Sequence, residues 1–205
     1  MPVILLRIIR IIRIIITIKA LRETVKVLLP YKRPSNFKRS ISDWRQLKPG
    51  DVIGVHKKPV KGINTYDHYG IYAGNFEVIH FSDGRKHFAS KKVPVRKDPF
   101  SLFKGEASEV FVLDFDMFNE CIKDPSLGQK VHDVIRRILG RSYYPYSPEE
   151  TLRRAESQIG KNGFNGKDGY NVLWRNCEHF AIWCKTGIEE SSQIENLKDL
   201  KLPTA

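Results

Sequence analysis

Asp67-His68-Tyr69-Gly70-Ile71-Tyr72-Ala73-Gly74-Asn75-Phe76-Glu77-Val78-Ile79-His80-Phe81 is the stretch whose reading decides the fold. Two runs rich in β-branched and aromatic residues, Asp67–Ala73 and Glu77–Phe81, flank a Gly74-Asn75 turn, which predicts a β-hairpin. His68 and His80 stand one on each arm. Side chains alternate across a strand, so the loop length decides whether the two imidazoles share a face. With a three-residue loop, Gly74-Asn75-Phe76, Gly70 pairs with His80 and His68 becomes its diagonal neighbour on the same face. An even loop would send the rings to opposite faces.

Upstream, Leu47–Val55 has a turn at Pro49-Gly50 followed by a short β-rich run. Downstream, His87–Val95 and Glu109–Phe115 supply further strands with a polar loop between them. After Asp116 the period changes. Val131, Val134, Ile135, Ile138 and Leu139 recur at helical spacing and Gly140 ends the run. Ser147-Pro148-Glu149-Glu150 is a helix start, with Ser as N-cap and Pro at the first helical position; that helix runs to about Ile159. A loop with Gly163, Gly166 and Gly169 follows, and a last helix spans Asn176-Cys177 to Thr186-Gly187. Strands first and helices afterwards predict an α+β fold, an antiparallel β-sheet packed against helices.

The chain has 205 residues, 41% hydrophobic and 28% charged, enough for one folded domain plus an extension. Its three cysteines, Cys121, Cys177 and Cys184, cannot all pair and none sits in a CxxC. That argues against a disulfide scaffold or structural zinc and for a reducing, intracellular compartment. The formal charge is +12, but residues 1–40 hold ten Lys/Arg against one acid, while the other 165 residues carry 25 bases and 22 acids. The folded body is close to balanced, and no stacking-aromatic or recognition-helix pattern accompanies the charge, so nucleic acid is not an expected partner.

The basicity belongs to a tail. Val3–Ile18 is aliphatic except for Arg7, Arg10, Arg13 and Thr17. A spanning helix needs about 20 apolar residues, and each central Arg costs about 2.5–3.5 kcal/mol, so three of them disfavour a span. No apolar core of leader length and no small-residue cleavage site appears, so a secretory signal is not expected. On a helix the three arginines spread over about 120° and leave a broad apolar face. That pattern suits a helix lying in the membrane interface with its cations on anionic headgroups; a mis-assigned start codon and packing of the Ile-rich segment on its own domain are the alternatives. Pro30, Pro34 and the basic run Tyr31–Ser40 read as a linker. The organisation expected is a basic hydrophobic tail at 1–40 with membrane contact through 1–29, a body at 41–190, and a polar tail at 191–205.

Cys177 sits in Trp174-Arg-Asn-Cys-Glu-His-Phe-Ala-Ile-Trp-Cys184, where Cys177, Phe180, Ala181 and Cys184 fall on one helical face. That face would pack on the sheet. In the first turn, free backbone N–H groups and the helix dipole favour a thiolate. A cysteine on an apolar face can equally be a small core residue, and Cys184 is read that way. Two imidazoles on one sheet face, with a packed helix presenting a sulfur to them, give the layout of a nucleophile, a base and a group orienting the base.

Asp67-His-Tyr-Gly-Ile-Tyr-Ala-Gly74, Val78-Ile-His-Phe81 and Asn176-Cys-Glu-His-Phe180 resemble the lecithin:retinol acyltransferase-like proteins, a circularly permuted branch of the NlpC/P60 papain-like thiol enzymes. The resemblance runs from about Trp44 to Gly187. It implies Cys177 as nucleophile, His68 as general base and His80 as the imidazole that orients it, with no cofactor and no metal. It further implies cleavage of a phospholipid acyl ester through a thioester on Cys177 and transfer to an alcohol, an amine or water. His179 is expected to structure the helix turn, and His56, His87 and His132 are expected to be surface or packing residues. Retinoid specificity does not follow from the resemblance. A cysteine peptidase or amidase and a non-catalytic membrane-associated adaptor are the competing readings.

Overall fold

A computed structural model describes residues 34–57, 66–82, 93–121, 144–169 and 176–189, with positions 13, 16, 17 and 130. The chain divides into two compact units, Met1–Arg33 with Asp116–Ser142, and Pro34–Phe115 with Tyr143–Ala205. The second carries the sheet and the site. Its strands are β1 (Lys38–Ile41), β2 (Val52–Lys57), β3 (Tyr66–Gly74), β4 (Glu77–Phe81), β5 (Val95–Pro99) and β6 (Val110–Leu113). They form one sheet in the order β1-β6-β2-β3-β4-β5, with every pairing antiparallel. Helices bounded within the described residues are α1 (Phe100–Lys104), α2 (Phe115–Cys121), α3 (Pro148–Glu156) and α4 (Cys177–Thr186), and Gly163–Phe164 pairs with Lys167–Asp168 in a minor hairpin. The fold is α+β, as the order of elements implies.

Several boundaries move. The expected linker ends before Ser40, because Lys38–Ile41 pairs with β6 as an edge strand. The strand expected at His87–Val95 begins at Val95 and runs to Pro99; residues 87–92 lie outside the described residues. The helix starting at Ser147 ends at Glu156, with turns to Gly160. The helix expected over Val131–Leu139, the tail at 1–29 apart from positions 13, 16 and 17, and the polar end at 191–205 also lie outside the described residues. Among the described residues, no helix is long and apolar enough to cross a membrane.

The β3–β4 hairpin reaches the anticipated register by another route. Ile71 pairs with Ile79 and Tyr72 with Val78, then the register shifts and Gly74 pairs with Glu77. The loop is therefore two residues, Asn75-Phe76, both at positive φ (49° and 60°), as a type I′ turn requires. Ala73 is the extra residue of a β-bulge, and that one insertion restores the odd offset. His68 and His80 share a face.

The sheet is covered on both sides. Tyr69, Ile71, Ile79 and Phe81 pack with Ala155 of α3 and with Cys177, Phe180, Ala181 and Cys184 of α4. Tyr72 and Val78 face the other way, in a cluster with Ile53, Val55, Val110, Val112 and Phe103 of α1.

Candidate active site

Helix α4 starts where it does because Asn176 and His179 cap it reciprocally. The Asn176 carboxamide oxygen accepts the His179 N–H at 3.1 Å, and His179 Nδ1 accepts the Asn176 N–H at 3.4 Å. His179 thus has the structural part expected of it. Gly187, at φ 76°, closes the other end. Cys177 is the first helical residue and is 2% exposed. Cys184 is fully buried in the core.

The sulfur does not share the histidines' side of the sheet. Tyr72 exchanges backbone bonds with Asp51 and Gly50 on the β2 side. By strand alternation, Asp67, Tyr69 and Ile71 aim their backbone groups toward β4. The β3–β4 ladder stops at Ile71–Ile79, so at residues 66–70 that edge of β3 is open. Cys177 Sγ occupies the opening, donating to the Asp67 carbonyl oxygen at 3.8 Å with the Tyr69 N–H also directed at it. These two groups flank His68. The expectation that α4 presents the sulfur on the histidines' own face is thus corrected: Cys177 approaches from the strand edge, and the imidazoles stand on the α1 side.

There the two rings are joined. His68 Nε2 and His80 Nδ1 are 2.7 Å apart, and each residue is 3% exposed. Phe103 covers both, with ring centroids 5.3 Å from His68 and 5.2 Å from His80. Gly70 makes room for this. A β-carbon there would lie 2.6 Å from Val78 Cγ1 and 3.1 Å from both His80 Cβ and Phe103 Cε2. On the far side of His80, Asp98 Oδ2 lies 3.3 Å from Nε2.

Burial sets the electrostatics. It pushes the Cys177 thiol up to about 12, and the Glu178 carboxylate adds to this against the N–H groups of Tyr69, Glu178 and Cys177. Burial also holds His68 well below the ordinary histidine value, with His80 and Lys57 adding to the effect. Burial lowers His80 as well, opposed by Asp98. Desolvation thus outweighs the helix dipole that favours a thiolate, and the thiol at the strand edge and the imidazoles on the α1 side are each held toward their neutral forms. Tyr66 is within electrostatic range of the sulfur, its phenol pushed up to about 12 by burial and by Cys177.

Residues 45–190 match the family model described as lecithin retinol acyltransferase. The chain belongs to the lecithin retinol acyltransferase family. It is 43% identical over 159 residues to the lecithin retinol acyltransferase of Mus musculus, covering 73% of this chain and 59% of that protein. The protein of the same name from Rattus norvegicus is 30% identical over 155 residues, with the same two coverages. A further family relative, phospholipase A and acyltransferase 4 of Homo sapiens, is 24% identical over 160 residues, covering 77% of this chain and 80% of the relative. The chain thus spans little more than half the length of the two lecithin retinol acyltransferases. The family match begins one residue after Trp44 and ends three after Gly187, close to the span of the resemblance.

The sequence reading did not reach Asp98, Lys57 or Phe103. Lys57 Nζ donates to the carbonyl oxygens of Phe103 and Lys104 at 2.8 and 3.1 Å, closing the C-terminal end of α1. Asp98 was within reach of pattern reading, as an acid on the strand following His80, had that strand not been placed at 87–95. His56 is a half-exposed surface residue with Nδ1 2.5 Å from Asp67 Oδ1. His87 and His132 lie outside the described residues.

Proposed function

We propose that this chain is a cysteine-dependent lipid acyltransferase or phospholipase A-type acyl hydrolase, with Cys177 as nucleophile, His68 as general base and His80 orienting it. The observation that carries the reading is the convergence on His68. Its imidazole is hydrogen-bonded to His80, while the backbone groups on either side of it hold the Cys177 sulfur. Family membership supports the chemistry, and the relatives' names supply the substrate class: a lecithin-type phospholipid as acyl donor.

With both partners neutral at rest, proton transfer accompanies attack. As Sγ bonds to the ester carbonyl carbon, its proton passes to His68, and the Cys177 N–H at the start of α4 is positioned to donate to the developing oxyanion. Collapse breaks the acyl C–O bond, and the His68 imidazolium protonates the departing lysophospholipid oxygen. An alcohol, an amine or water then attacks the thioester with His68 again taking the proton, and the thiol is regenerated. In this reading, residues 1–29 bring the site to a membrane surface through the apolar face and arginines of the tail.

Incubation with phosphatidylcholine vesicles and, separately, with peptidoglycan peptides tests the assignment. Release of lysophospholipid, lost in Cys177→Ser, is the result expected. Cleavage of the peptides with vesicles untouched would replace this reading with a peptidase.

A further inference from the structure

Antiparallel pairing of β4 with β5 sets Val78 opposite Asp98 and His80 opposite Arg96, so Asp98 lies diagonal to His80 on the same face. It is a carboxylate with 3% of its surface exposed, and buried carboxylates persist only with partners. Its Oδ1 accepts from Arg96 Nε at 3.2 Å, Ser82 donates to the carboxylate, and its Oδ2 faces His80 Nε2 at 3.3 Å. The approach is an ion-pair contact, and among the described residues neither Oδ2 nor Nε2 has a geometric hydrogen-bond partner, so each is the nearest complement the other has. The cations facing His80 are Arg96 and Lys57, and the remaining titratable neighbour is His68.

A carboxylate can only accept. His80 therefore presents its proton on Nε2, toward Asp98, which leaves Nδ1 bare. A bare Nδ1 must accept, so His68 Nε2, 2.7 Å away, is the donor. A neutral His68 with its proton on Nε2 has a bare Nδ1. The reverse order, with His80 Nδ1–H donating to His68 Nε2, would put the His68 proton on Nδ1 and leave no nitrogen able to take one from a thiol.

We infer that Asp98 is a positioning residue that selects between these two proton arrangements, making His68 Nδ1 the atom that receives the Cys177 proton. The inference rests on the proposed thiol mechanism for its consequence, not for its geometry. One proton moves, from Sγ to His68 Nδ1. The resulting imidazolium keeps its Nε2–H on His80, and the positive charge is balanced through His80 by the Asp98 carboxylate. No second transfer is needed.

The test reads tautomers directly. Imidazole 15N chemical shifts of the uniformly labelled full chain, near neutral pH and without substrate, should show both His68 and His80 protonated on Nε2 only. Asp98→Asn, whose amide can rotate to accept or donate, should give a mixture of arrangements. It should also lower kcat/KM for phospholipid by about 100-fold, as loss of productive geometry does. The acid limb of its pH–rate profile should move to lower pH, because the carboxylate that favours the imidazolium is gone. Asp98→Glu should restore the shifts and most of the rate. A wild-type His68 protonated on Nδ1 overturns the assignment, and so does an Asp98→Asn protein with unchanged tautomers and pH profile. The wild-type spectrum decides even where a variant fails to fold. Wild-type His68 protonated on Nε2 in a protein that forms no acyl-enzyme would sink the thiol mechanism and leave the tautomer assignment standing.

Discussion

The Lys57 ammonium donates to the Phe103 carbonyl oxygen at 2.8 Å, and the ring of the residue it holds lies across both His68 and His80. One cation therefore does two things: it satisfies the last carbonyls of α1, and it faces the imidazoles with like charge that disfavours their protonation. Lys57→Met keeps most of the stem and removes the charge. The acid limb of kcat/KM should move to higher pH, since the base is freed to protonate earlier. Urea unfolding should show a loss of about 1–3 kcal/mol from the orphaned carbonyls.

Gly70 is required by space rather than by backbone conformation. A methyl there meets Val78 at 2.6 Å and both His80 and Phe103 at 3.1 Å, and close-packed interiors do not absorb such overlaps. Gly70→Ala should destabilise by about 1–3 kcal/mol and should reduce kcat more than a surface substitution of equal stability cost. Thermal melts alongside turnover measurements separate the two effects.

Acid should weaken the fold through the same histidines. His68 and His80 have folded values below the ordinary 6.5. As pH falls below about 6.5 the unfolded chain takes up protons that the native chain does not, so native stability declines. Urea midpoints measured from pH 7.5 to pH 5 should fall steadily. The decline should be shallower in His68→Gln, which removes one of the titrating pair.

Cys177 should react as a buried neutral thiol. With its value pushed up to about 12, alkylation by iodoacetamide should rise about tenfold per pH unit between pH 6 and pH 9, because the thiolate is the reactive form. A plateau beginning near pH 7 would mean a preformed thiolate–imidazolium pair and would contradict the neutral resting state.

Much of this is legible in the sequence. The Gly74-Asn75 turn and the alternation on either side of it imply a hairpin, with His68 and His80 on one face provided the connection adds an odd number of residues. The cap signals at Ser147 and Asn176 locate two helices to within a few residues. The bulge at Ala73 was not legible, because two- and three-residue turns read alike at Gly-Asn, and the register came out right by compensation. Strand β5 was not read beyond Val95 because Val95-Arg-Lys-Asp-Pro is too polar to look like a strand. That error hid Asp98, a buried carboxylate whose place is set by pairing with β4. The route of Cys177 to the strand edge depends on where the β3–β4 ladder ends, which no local pattern encodes. Nor does local sequence encode burial, which overturned the thiolate expected from the helix dipole.

The central claim, that Cys177 carries an acyl group taken from a lipid, is tested most directly by intact mass spectrometry of the full chain after exposure to phosphatidylcholine vesicles. The account predicts one adduct of a single fatty acyl chain, mapped to Cys177 and labile to hydroxylamine. It should be absent in Cys177→Ala and at least about 100-fold slower to form in His68→Gln. An acyl adduct that persists in Cys177→Ala, or lysophospholipid release by that variant at the wild-type rate, would contradict it.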